Sequence, residues 1–195
     1  RALRSQGRRT MRKLLDAAME AFDRFGYHAT RVNDIVKIAD TSHGTFYLYF
    51  SNKEDLLRAI AAEAAAEAAE LYAAMGGPLA GPTDWAGIRE WVGRYSTLWL
   101  RYAPLLRGWT DLAFVDPELG DQIRRGIVTM SGALAGWIAA SPPAEDVDAD
   151  AAGMAVLAML DRFHSIRELV GQPVDGPALD TLATIVHRAL FAPPG

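Results

Sequence analysis

Cysteine is absent from all 195 residues, which removes disulfides, thiol catalysis and cysteine-ligated zinc together. The same absence suits a reducing compartment, and the expected location is cytoplasmic. Long apolar runs are missing too. Strongly apolar stretches such as AAGMAVLAML (151–160) fall far short of the roughly 20 residues needed to span a bilayer. No secretory signal pattern opens the chain, and because it starts at Arg1 a few preceding residues are expected to be missing. The β-branched runs that mark strands are lacking, as is a Gly-x-Ser-x-Gly elbow, so no hydrolase is expected and the chain reads as a non-enzyme. Asp161, His164 and Glu168 share a helix face, but no matching His pair exists to complete a coordination shell. Neither metal nor cofactor is expected.

What is present is a hydrophobic content of 50%, enough for a sizeable core and too much for disorder. The net charge of −4 hides an asymmetry, since residues 1–60 hold 11 Lys or Arg against 7 Asp or Glu. A basic head on an acidic body points to an anionic partner for the head alone.

Apolar residues recur at three- and four-residue intervals almost throughout, which predicts an all-α fold. The first helix runs from Arg8 to Phe25 with Leu14, Ala18, Ala21, Phe22 and Phe25 inward, and stops at Gly26. Thr30 is the expected N-cap of a second helix burying Val32, Ile35, Val36 and Ala39. Ser42 caps a third helix of about two turns, and Ser51 with Glu54 reads as the capping box of a fourth. That fourth helix carries Glu63, Glu67 and Glu70 on a face expected to meet solvent, and it ends before the linker GGPLAGPT (76–83). Further helices are expected at 84–102, 104–114, 117–140, 145–171 and 176–191, with Asp84 and Asp116 as caps. The domains are accordingly 1–60 and 61–195.

Helices two and three, joined by about three residues, have the dimensions of a helix-turn-helix. Gly44 sits in the first turn of the third helix, where glycine costs about 1 kcal/mol relative to Ala; removing a side chain there lets the helix end approach a phosphate closely. Phe46 and Phe50 point into the core, leaving Thr45, Leu48 and Tyr49 on the other side with His43 at the leading edge. A leucine offers no hydrogen bond but suits a thymine methyl. Thr30, Ile35 and Ala39, followed by Ser42, Gly44, Thr45, Phe46, Tyr47, Phe50, Lys53 and Leu56, resemble the signature of the TetR family of bacterial transcriptional regulators over residues 10–57. The resemblance implies that Tyr47, Lys53 and the start of helix two near Thr30 contact phosphates, and that Thr45, Leu48 and Tyr49 lie in or beside the groove of double-stranded DNA. It also implies an N-terminal three-helix helix-turn-helix head joined by a fourth helix to a helical ligand-binding and dimerisation body. The family's usual Ala-Gly-Val-Ser turn is Ala39-Asp40-Thr41-Ser42 here, and aspartate tolerates a left-handed conformation.

In the body, Trp91, Tyr95, Leu98, Trp99 and Tyr102 form one wide aromatic stripe. Trp109, Phe114, Met130, Trp137, Met154, Met159 and Phe163 are candidates to face it, and five tryptophans exceed what a small helical core requires. An apolar cavity between helices is where small ligands bind. By the resemblance this body holds an apolar or aromatic effector, with Arg94, His164 or Tyr95 near a polar end. Apolar stripes on the last two helices, Met154, Leu157, Leu160 and His164, then Leu179, Leu182, Ile185, Val186 and Leu190, suit a homodimer interface. The expected function is a ligand-responsive regulator, most simply a repressor, binding a palindromic operator as a homodimer and released by the effector. The rival is a helical small-molecule binding protein whose head docks to a protein partner.

Overall fold

The computed structural model describes residues 2–74, 83–141 and 147–191, and within these the side chains outside 2–5 and 108–115. Among the described residues there are eight helices and no strand: α1 (Ala2–Phe25), α2 (Val32–Ile38), α3 (His43–Tyr49), α4 (Lys53–Ala73), α5 (Trp85–Val115), α6 (Pro117–Ala140), α7 (Ala149–Leu169) and α8 (Gly176–Leu190). The linker at 76–83 lies almost wholly outside them. No described helix is long and apolar enough to cross a membrane.

Two compact units emerge, one made of Arg1–Ala64 with Tyr102–Ile123, the other of Ala65–Arg101 with Arg124–Gly195. In the first, α1 packs on α2 and α2 on α3. Leu14, Ala18, Ala21 and Phe22 are buried as their spacing requires, but Phe25 is half exposed because the chain leaves the helix at Gly26, whose φ of 76° is open to glycine. The second helix does not begin at Thr30. Its N-cap is Arg31, and Asp34 Oδ2 accepts from the Arg31 amide at 2.9 Å, while the Thr30 side chain is buried with its hydroxyl between the carbonyl oxygens of Gly26 and Ala21 at 2.7 and 3.2 Å. At the other end, the Thr41 amide bonds Val36 O and the Asp40 amide bonds Lys37 O, a Schellman closure that holds Asp40 at φ 43°.

The cap of α4 is shifted by one residue from the expected pair. Asn52 Oδ1 accepts from the Asp55 amide at 2.7 Å, and Asp55 Oδ2 accepts from the Ser51 amide at 2.9 Å. Glu54 is left to accept from the Tyr27 hydroxyl at 3.1 Å. The acidic face of α4 does not simply meet water either: Glu63 pairs with Arg12 at 2.5 Å and Glu67 with Arg101 at 2.8 Å. Arg58–Asp116 at 2.8 Å and Arg107–Asp23 at 2.5 Å further brace the first unit. Asp116 also caps α6, and hydrogen bonds from the Leu119 amide, with Arg58 beside it, hold its carboxyl below the usual range.

The expected helices 84–102 and 104–114 are one helix, α5, with Pro104 inside it. Proline removes one backbone donor at a cost of about 3 kcal/mol, and the buried neighbours Tyr102, Ala103 and Leu105 hold the helix together across it. Asp84, Asp148 and Asp175 cap α5, α7 and α8 through the amides of Gly87, Ala151 and Ala178. In the second unit Trp85 Nε1 donates to Thr184 Oγ1 at 3.0 Å and Arg89 pairs with Asp180 at 2.5 Å, tying α5 to α8. At Gly153 of α7 an added Cβ would fall 2.6 Å from Ser131 O and 2.7 Å from Ala135 N, so the α6–α7 crossing depends on the missing side chain.

Candidate nucleic-acid interface and buried ring cluster

The α3 helix presents one face inward and one outward. Phe46 and Phe50 are buried with ring centroids 5.8 Å apart, and they anchor the helix to the three-helix core. Ser42 caps it by accepting from the Thr45 amide at 3.1 Å, with the two hydroxyl oxygens 3.0 Å apart, so Ser42 and Thr45 fix the entry turn while Ser42 stays exposed. Outward stand His43 and Gly44, both exposed, Tyr47 at 57% exposure, and Leu48 at 82%. Tyr47 touches the core through an edge-on contact with Phe46 at 5.3 Å, whereas Leu48, so open on a two-turn helix, is not held there by the core. Nor is the glycine: a Cβ on Gly44 would meet only Ser42 Oγ, at 3.7 Å, an ordinary contact.

Three of the residues read as DNA-facing have structural duties as well. Thr30 is buried with its hydroxyl engaged, so its side chain is not free to meet a phosphate, and the exposed start of α2 belongs to Arg31. Tyr49 is half-buried, with its hydroxyl 3.5 Å from the Cβ position of Gly7 on α1. Lys53 Nζ donates to Tyr27 O and Thr30 O at 2.7 and 2.9 Å, and partial burial pulls its ammonium below the usual lysine range. Cations the sequence reading passed over, Arg8, Arg9, Arg31 and Lys37, are exposed on the same three-helix head. Their signal in sequence was only that they fall on polar helix positions, which marks exposure and not purpose.

Residues 14–60 match the family model for bacterial regulatory proteins of the tetR family. That segment, about a quarter of the chain, is what the chain shares with this family. The chain is 49% identical over 45 residues to the fatty acid metabolism regulator protein of Bacillus subtilis, a stretch covering 23% of each chain. It is 43% identical over 44 residues to the HTH-type transcriptional regulator QacR of Staphylococcus aureus, again 23% of each. The match thus spans about a quarter of these curated relatives' length. Along nearly the whole chain, the fold is shared with Salmonella enterica GusR, at TM-score 0.72 and 23% identity over 94% of this chain and 96% of that one.

Within the second unit, rings line up in a row. Tyr72 lies 5.6 Å from Trp91, Trp91 5.8 Å from Tyr95, Tyr95 5.4 Å from His164, and His164 5.3 Å from Trp99, all as ring centroids. Phe163, half-buried, sits 5.9 Å from His164. Trp91, Tyr95 and Trp99 are therefore brought together as their spacing on α5 implied. Tyr102 is not part of the row: it belongs to the first unit, where its hydroxyl donates to Glu63 at 3.3 Å. Trp137 is buried against Phe191 at 4.7 Å, Met130 is half-buried on α6, and Trp109 lies outside the described side chains. Tyr72, the aromatic that completes the row, was missed because it stands near the end of an alanine-rich helix whose periodicity carries little contrast.

Trp99 Nε1 donates to Asp161 Oδ1 at 3.1 Å. His164 is fully buried, and its Nδ1 lies 2.7 Å from Leu160 O, which fixes the proton on Nδ1. Burial lowers the imidazole pKa, against the opposing Leu160 hydrogen bond and Asp161 charge. Burial raises the hydroxyl pKa of Tyr72 and of Tyr95, with Asp161 adding to both. Among the described residues no group of three or more His, Asp or Glu is placed to hold a metal.

Proposed function

We propose that this chain is a ligand-responsive transcriptional regulator, acting as a repressor, that binds a palindromic operator as a homodimer and is released by a small apolar or aromatic effector. The observation that carries the reading is the outward face of α3: Tyr47 and Leu48 stand mostly exposed, beside a glycine whose Cβ position meets only an ordinary contact. A partner that approaches the helix backbone closely explains all three, and the major groove of DNA admits a helix on those terms. Arg8, Arg9, Arg31 and Lys37 on the same head supply charge for the phosphates on either side. In this reading the DNA-binding domain covers 1–60 and the effector and dimer functions fall in 61–195.

The dimer is supported by what α7 and α8 leave outside. Leu157, Leu160, His164, Leu182, Val186 and Leu190 are used up in the chain's own core, whereas Met154, Ile166, Leu169 and Ile185 are 45%, 48%, 84% and 46% exposed. Large apolar side chains on two neighbouring helices suit a four-helix interface across a two-fold axis. Two α3 helices then need a separation of about 34–36 Å to enter successive major grooves. An effector that prefers a different separation by about 2.7 kcal/mol lowers occupancy 100-fold. Helices α4, α5 and α6 each carry residues of both units, a covalent route for that shift.

The test is selection of bound duplex from a random pool, followed by affinity measurement across salt and by sedimentation equilibrium. The expected result is a palindromic consensus, a dimer, and a log affinity that falls steeply with log salt. A flat salt dependence, or no enrichment of any sequence, refutes the reading.

A further inference from the structure

The effector reading leaves open what chemistry the ligand carries, and the ring row answers this; the inference rests on that reading. Three polar atoms along the row, Tyr72 Oη, Trp91 Nε1 and His164 Nε2, are buried and reach no hydrogen-bond partner among the described residues. Buried polar atoms are ordinarily paired, so three orphans in one cluster need a reason. Because the His164 proton is held on Nδ1 by Leu160 O, its Nε2 offers a bare lone pair. One turn's edge away, Asp161 presents a carboxylate that already accepts from Trp99. The row thus offers acceptors at His164 Nε2 and Asp161 beside donors at Trp91 Nε1 and the Tyr72 hydroxyl.

Among the described residues no fully buried cation balances the Asp161 carboxylate, and half-buried Arg167 is engaged over the Phe163 ring, 5.6 Å from its centroid. The buried polar and charged residues of the second unit are Ser96, Ser131, Ser141 and His164, and no arginine or lysine is among them. An anionic ligand would meet the Asp161 charge at low dielectric without a counter-ion. A donor escapes that penalty, and the faces of tyrosine and tryptophan attract a positive charge.

We propose that the row formed by Tyr72, Trp91, Tyr95, Trp99 and His164 binds a flat, ring-sized molecule that donates a hydrogen bond to His164 Nε2 and carries no negative charge. An alcohol and an ammonium share this chemistry. The ring of the ligand stacks with the row, its donor meets His164, and an acceptor on it takes the Trp91 N–H or the Tyr72 hydroxyl.

Calorimetric titration of the full-length protein at pH 8 with 2-naphthol, 2-naphthylmethylammonium and 2-naphthoate tests this. The alcohol or the ammonium, or both, should bind at least about tenfold more tightly than the carboxylate; whichever is tighter identifies the source of the donor. In Asp161→Asn, which keeps an acceptor for Trp99 on a half-exposed position, the carboxylate should come within about threefold of the alcohol. His164→Phe should weaken the alcohol by about tenfold or more. Tighter binding of the carboxylate by the unaltered protein overturns the inference but leaves an effector site standing. No binding of any probe at millimolar concentration overturns it too, and operator binding measured on the same sample then tells whether the regulator reading survives.

Discussion

Lys53 Nζ donates to the carbonyl oxygen of Tyr27 at 2.7 Å and lies 4.1 Å from the centroid of the same residue's ring. With its second bond to Thr30 O at 2.9 Å, the first residue of α4 grips both ends of the loop that feeds α2. The ammonium thus sets the position of the helix-turn-helix relative to α4. Hydrogen bonds to a charged group contribute about 1.5–3 kcal/mol, and the half-exposed site takes the lower part of that range. Lys53→Ala should therefore lower head stability by about 1–2 kcal/mol and weaken binding to every DNA sequence alike, because the displaced loop is common to all complexes. Thermal unfolding and an operator library check the two halves. An unchanged melting temperature would show that the grip contributes nothing.

Gly44 separates internal from external demand. Its Cβ position is open, and alanine is favoured over glycine in a helix by about 1 kcal/mol. Gly44→Ala should leave the free protein as stable or up to about 1 kcal/mol more stable, and it should reduce operator affinity by about tenfold or more. A variant that gained stability with full DNA affinity would remove close approach as the reason for the glycine.

Asp40 sits at φ 43° with its side chain almost wholly exposed, in the turn between α2 and α3. Its carboxylate pairs with Lys13 at 4.0 Å from Oδ2, a weak exposed pair. Asp40→Gly relieves the left-handed backbone and withdraws a negative charge from the head. Stability should rise by about 1 kcal/mol, with tighter DNA binding most visible at low salt. Operator titrations at two ionic strengths measure this, and a fall in stability would mean that the carboxylate holds the turn.

Much of the head was legible because short-range rules govern it. Ser42 as a cap, Phe46 and Phe50 inside, and the left-handed turn at Asp40 each follow from a residue and its near neighbours. Thr30 and Phe25 misled for the same reason: threonine is a good cap and phenylalanine a good core residue in isolation, but the turn at Gly26 carries one inward and the other out. Pro104 looked like a helix end since local propensity disfavours it, and tertiary packing on both sides overrode that preference. The ring row was half legible. Trp91, Tyr95 and Trp99 share a helix and so a period, whereas Tyr72 and His164 arrive from α4 and α7, a convergence that no local pattern encodes. The same limit hid Gly153, a glycine in mid-helix whose purpose appears only when α6 is laid against it.

That last position makes its own prediction. A methyl group at residue 153 would meet the backbone of Ser131 and Ala135 at distances that side-chain rotation cannot relieve. Gly153→Ala should therefore destabilise the body by about 1–3 kcal/mol, despite the better helix propensity of alanine. Denaturant unfolding decides the sign, and a stabilised variant would show that the two helices move apart freely.

His164 gives the body a pH dependence whose sign is fixed by burial. Desolvation lowers the imidazole pKa in the folded chain below the ordinary value of 6.5, with Tyr95, Trp99 and Phe163 around the ring and Asp161 the nearby charge. Between those two values the unfolded chain binds a proton that the folded chain does not, so unfolding takes up protons and stability rises with pH. The contribution of the neutral buried imidazole is fully present above about pH 6.5 and is lost as the pH falls through the lowered folded value. Melting temperature should be level from pH 8 to about pH 7 and then decline on acidification. His164→Gln keeps a polar side chain of similar reach but does not titrate, so it should flatten that acid limb relative to the unaltered protein while leaving the carboxylate-driven loss at lower pH in place. If both proteins lose stability in parallel between pH 7 and 5, the titrating group lies elsewhere, and burial of this imidazole would not be what sets the acid limb.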